Sequence, residues 1–161
     1  MNRFFLTVTA VLVFGAGFTW ADALEEGVAA HQRGEYAAAI ASFKALAADG
    51  NPAAQFNLGQ MYRLGQGVPR NAVEAARWYR MAAAQGDGQS QYNLGVMYYN
   101  AQGVPRNFVF SHMWLTLSAT SGVENAVRNR TMLAKQMTPE QIAEALQLAR
   151  TCKQREFKDC D

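Results

Sequence analysis

Side chains able to act as nucleophiles, proton carriers or metal ligands are few in this sequence, and their spacing points away from catalysis. His31 and His112 lie far apart, neither belongs to His-x-x-x-His or His-Glu-x-x-His, and no cysteine lies near enough to complete a ligand set. No metal site is expected. No Gly-x-Ser-x-Gly elbow, Ser-x-x-Lys pair or glycine loop ending in Lys-Ser or Lys-Thr occurs, so neither an acyl-transfer serine nor a nucleotide cradle is in view. The Gly65-Gln66-Gly67 stretch runs into Val68-Pro69, which reads as a helix stop. Glu25, Glu26 and Glu35 could meet as an acid–base pair, with solvated surface charge as the alternative. No enzymatic activity and no cofactor are expected.

Composition sets the same bounds. The 161 residues carry 15 Lys+Arg against 13 Asp+Glu, a formal charge of +2, and half of them are hydrophobic, which excludes a disordered or nucleic-acid-wrapping chain. The Lys153–Lys158 stretch mixes Lys153, Arg155 and Lys158 with Glu156 and reads as a solvated tail, so no nucleic-acid partner is expected. Two cysteines are too few for a cysteine-dense mini-fold or a four-thiolate zinc site.

Met1-Asn2-Arg3, an uncharged, largely apolar run from Phe4 to Phe18, and small residues around Ala21 and Ala23 read as a secretory leader over 1–23, cut after Ala21 or Ala23. An uncleaved anchor is the alternative, and no later run is long enough to span a bilayer. The expected location is periplasmic or secreted. In that oxidising setting Cys152 and Cys160 are expected to pair, although two unpaired thiols remain the alternative.

The elements that position these residues come from an internal repeat. Gln55-Phe56-Asn57-Leu58-Gly59-Gln60-Met61-Tyr62 returns as Gln91-Tyr92-Asn93-Leu94-Gly95-Val96-Met97-Tyr98, an offset of 36 that also carries Gly67-Val68-Pro69-Arg70-Asn71 onto Gly103-Val104-Pro105-Arg106-Asn107 and Trp78 onto Trp114. Between 51–86 and 87–122, 16 of 36 positions are identical, too many for chance. Each unit reads as two helices. Asn51 or Asp87 caps the first, Asn71 or Asn107 the second, and Glu74 is placed to reach back to Asn71 as a capping box. Thr138-Pro139-Glu140-Gln141 opens a last helix, after a first-helix-like stretch over Val123–Met137. Eight helices in about four antiparallel pairs follow, an all-α solenoid. Tyr62, Tyr98, Trp78 and Trp114 are expected to fill the core between pairs, and small residues such as Ala39, Ala75 and Ser111 to mark close helix contacts.

The pattern Asn-Leu-Gly-x-Met-Tyr, then Gly-Val-Pro-Arg-Asn, then Trp-Tyr and Ala-Ala-x-x-Gly, specific over roughly Ala53–Gly122, resembles the Sel-one-like (SLR) repeat, a relative of the tetratricopeptide repeat. The resemblance implies a right-handed α-α superhelix: a degenerate tetratricopeptide-like pair at 24–50, repeats at 51–86 and 87–122, and a capping pair with tail at 123–161. It also implies a scaffold whose partner is a protein or peptide. Some secreted members of the family are linked to peptidoglycan fragments or penicillin binding, which is the alternative reading.

Tetratricopeptide geometry, carried onto this chain, places in the concave groove Leu24, Val28, His31 and Gln32, then Phe56, Gln60 and Arg63, then Tyr92, Val96, Tyr99 and Asn100, and finally Arg128, Met132 and Lys135. Apolar and amide side chains with three cations suit a peptide segment bearing a carboxylate, and a simple solvated face is the alternative. Asn129-Arg130-Thr131 matches a glycosylation triplet and is given no role.

Overall fold

The computed structural model describes residues 19–160. Most of the expected leader therefore lies outside the described residues. The two expected cuts fall inside the first turn of the first helix, α1 (Trp20–Gln32), whose Thr19–Asp22 capping box they would remove.

Seven further helices follow among the described residues: α2 (Tyr36–Ala48), α3 (Pro52–Leu64), α4 (Ala72–Ala83), α5 (Gly88–Asn100), α6 (Phe108–Thr120), α7 (Glu124–Ala134) and α8 (Pro139–Gln154). Their starts obey local chemistry. The side chains of Asn51, Asp87 and Asn107 accept from the backbone N–H three residues on, satisfying donors that a helix leaves open. Asn71 accepts from both Val73 and Glu74, but Glu74 does not complete the expected box. Its carboxylate instead accepts from Arg77 at 3.3 Å, one turn along an exposed face where the cation holds it. Thr138 and Gln141 do form the reciprocal box that starts α8.

Helices α1 to α6 form three packed pairs, with α2 on α3 and α4 on α5 joining them. Within each pair a glycine of the first helix faces a large residue of the second: Gly27 against Phe43, Gly59 against Tyr79, Gly95 against Leu115. The missing Cβ lets the helices approach closely. Ala39, Ala75 and Ser111 are fully buried at the equivalent close contact. Tyr98 and Trp114 are buried, whereas Tyr62 and Trp78 are half-buried and pack on the edges of the core.

The C-terminal helices depart from regular stacking. Both α7 and α8 pack on α6 and scarcely on each other. Small residues make this possible: Ala145 and Ala149 of α8 are buried, and Ala149 and Cys152 join the cluster that holds Tyr79, Met113 and Trp114. The Cys152–Cys160 disulfide is present, with Cα atoms 5.1 Å apart. No helix among the described residues is long and apolar enough to cross a membrane.

Candidate functional site: a recess between the first helices

Four of the expected groove residues converge. Val96, Tyr99 and Asn100 of α5 and Met132 of α7 line one half-open recess of about 240 Å³. Leu115 and Leu133 are buried in its floor, and Asn129 and Gln136 stand on its α7 side. Tyr99 and Met132 are 37% and 59% exposed, large apolar surfaces left open to solvent. The site is not slack. The Asn129 side chain donates to the Tyr92 hydroxyl at 3.0 Å, Gln136 donates to the Tyr99 hydroxyl at 3.2 Å, and the Tyr99 ring stacks on Phe108 with centroids 5.6 Å apart.

Other expected residues are turned to internal partners. His31 meets Gln66 Oε1 at 2.9 Å and lies 5.4 Å from the Tyr36 ring, so it braces the α3–α4 loop. Arg63 donates through Nε to the Tyr79 hydroxyl at 3.3 Å; burial raises that phenol's pKa, and Arg63 partly offsets it. Gln60 is half-buried on α3, away from the recess lining. Phe56 packs on the core beside Tyr79, and Leu24 and Val28 pack on the N-terminal cluster. Gln32, Arg128 and Lys135 are exposed, with Arg128 donating to Asn125 at 3.0 Å.

Asn129 and Gln136 were not among the expected groove residues, yet the 36-residue ruler contains both. Gln136 follows Asn100 by 36, and Asn129 follows Asn93. Asn57 and Asn93 donate to backbone carbonyls one turn back on their own helices, and only Asn129 reaches across to a neighbouring helix.

The first helices differ in charge: α1 carries Asp22, Glu25 and Glu26, whereas α3, α5 and α7 are poor in carboxylates. The sequences of α3, α5 and α7 hold Arg63, Arg128 and Arg130 but a single carboxylate, Glu124, and Lys135 caps the end of α7. The glutamates considered as an acid–base pair lie elsewhere. Glu26 and Glu35 both accept from the exposed Arg33, at 3.1 and 2.9 Å, and this cation holds the Glu35 carboxyl below its ordinary pKa. No group of three or more His, Cys, Asp or Glu among the described residues could hold a metal ion.

The Sel1 repeat pattern matches residues 52–87 and 88–123. A protective antigen present in uropathogenic Escherichia coli strains, displaying an SLR fold, superposes with a TM-score of 0.81 at 29% identity over 88% of this chain. A Sel1 repeat protein from Oxalobacter formigenes superposes with a TM-score of 0.68, also at 29% identity, over 86% of this chain. This chain spans 31% and 56% of those two chains. No curated protein matches it. The chain thus carries two Sel1 repeats, each in register with one of the Gly59–Tyr79 and Gly95–Leu115 contacts, on an SLR-type fold.

Proposed function

We propose that this chain is an exported, non-catalytic scaffold that binds a protein or peptide segment along the wall formed by α3, α5 and α7. One observation carries the reading: the recess of about 240 Å³ combines an apolar floor with the side-chain amides of Asn100, Asn129 and Gln136. An apolar side chain of the partner fits the floor, and the amides suit its peptide groups. The exposed cations Arg128 on α7 and Lys135 at its end favour a segment bearing carboxylates. Helices fixed by the Gly59 and Gly95 contacts hold these groups in register before binding, which lowers the ordering cost.

The test replaces Tyr99, Met132 and Arg128 together by alanine and compares partners recovered by proximity labelling in the native envelope. Loss of a specific partner with helicity retained supports the reading, and an unchanged partner set rejects it. The amide-rich rim and the Tyr99–Phe108 stack also favour a second reading, a peptidoglycan fragment. Titration with purified muropeptides separates the two, since saturable binding lost in the triple variant assigns the recess to that ligand.

A further inference from the structure

The segment after α8 is held in an unusual conformation. Glu156, Phe157 and Asp159 adopt φ of 53°, 63° and 49°, the left-handed region that L side chains enter at a cost. None is glycine, so the tail stores backbone strain that its surroundings must over-determine. Two features do so. The Cys152–Cys160 bond ties the end of the tail to the last turn of α8, and the Phe157 ring turns back onto the cluster containing Tyr79, Ala83 and Trp114. There the ring passes so close to Gly86, just beyond the end of α4, that a Cβ on this glycine would lie 3.3 Å from Phe157 Cε2. The tail thus bridges the C-terminal helix to the α4–α5 turn. Its exposed Lys158–Glu156 pair, at 3.8 Å, is too long and solvated to hold it.

We propose that Arg155–Cys160 is a redox latch: oxidised, the disulfide keeps the strained tail closed with Phe157 over Gly86, and reduction lets the strain pull Phe157 away and bare that seam. Cys152 is buried and Cys160 half-buried, so an external dithiol attacks the Cys160 sulfur. Its thiolate forms a mixed disulfide with Cys160 while Cys152 leaves as a thiolate and takes up a proton. The reductant's second thiol then displaces Cys160. Two electrons pass to the protein, giving two thiols, and the dithiol becomes a cyclic disulfide. The strain is what separates this latch from a passive crosslink, because it favours the open form.

The experiment equilibrates the full chain with graded dithiothreitol and follows both the thiol count and amide hydrogen exchange. Reduction is expected to raise exchange at residues 84–88 as well as in the tail. Phe157→Ala, still oxidised, is expected to show the raised exchange at 84–88 already. The double variant Glu156→Gly with Asp159→Gly relieves left-handed strain without touching either cysteine, and is expected to shift the equilibrium about fivefold toward the disulfide. Unchanged exchange at 84–88 on reduction, or an equilibrium that the glycines leave unmoved, would overturn the latch.

Discussion

Gly59 lies directly beneath the Tyr79 ring: a Cβ built on this glycine would stand 2.6 Å from Tyr79 Cε1 and 2.7 Å from Cδ1. The ring cannot retreat, because Tyr79 is fully buried and its hydroxyl is held by Arg63. Gly59→Ala therefore forces α3 and α4 apart, an overpacking cost of about 1–3 kcal/mol. The urea midpoint should fall accordingly with the slope unchanged. Gly95→Ala should show the same loss, since its Cβ would stand 2.8 Å from Leu115 Cγ in the next unit.

That contact explains how much of the fold was legible. Gly59 and Tyr79 return as Gly95 and Leu115 at an offset of 36, and caps such as Asn51, Asp87 and Thr138 act on their nearest neighbours, so sequence alone carries both signals. The recess was half legible. Val96, Tyr99, Asn100 and Met132 share it because equivalent faces of successive first helices turn the same way. Arg63 stands 36 residues before Tyr99, yet its long side chain finds Tyr79 inside the molecule, and His31 finds Gln66. Spacing fixes a side chain's face, not its partner. The splay of α7 and α8 onto α6 was also hidden, since it depends on which distant surface best accepts Ala145 and Ala149.

Ala101 ends α5 at φ 56°, the position that Gly65 fills in the preceding unit at φ 73°. Alanine pays a steric penalty there that glycine avoids. Ala101→Gly should stabilise the chain by about 0.5–1 kcal/mol, and the reciprocal Gly65→Ala should destabilise it by at least as much. Paired thermal melts of the two variants check both signs.

Gln55 and Gln91 are buried at equivalent positions, and each donates to a backbone carbonyl, of Ala47 and Ala83 respectively. Their carbonyl oxygens fare differently. Gln55 Oε1 accepts from Gln85 at 2.8 Å, whereas Gln91 Oε1 has no partner, because Ser121 occupies the position equivalent to Gln85 and is too short. Ser121→Gln should supply the missing donor and add about 1 kcal/mol. Gln85→Ala should remove about 1–3 kcal/mol by orphaning Gln55. Chemical denaturation of both variants tests the pair.

His112 is 3% exposed on α6, and its pKa is lowered chiefly by burial and secondarily by the Arg130 charge. Its neutral ring lies 3.4 Å from the Thr116 hydroxyl, which donates to the His112 carbonyl at 2.8 Å. Because the folded chain holds this ring deprotonated below the ordinary histidine range, the unfolded chain takes up the proton first as pH falls. The stability tied to the neutral ring is therefore fully present above about pH 6.5 and lost as pH drops through the lowered folded-state value. Between those limits the slope approaches but does not exceed about 1.4 kcal/mol per pH unit, the value for one proton. His112→Gln keeps a polar side chain that does not titrate there, so its unfolding free energy should lack this component. Urea denaturation from pH 7.5 to 5 for both chains measures it, and parallel curves would show that His112 is not the group responsible.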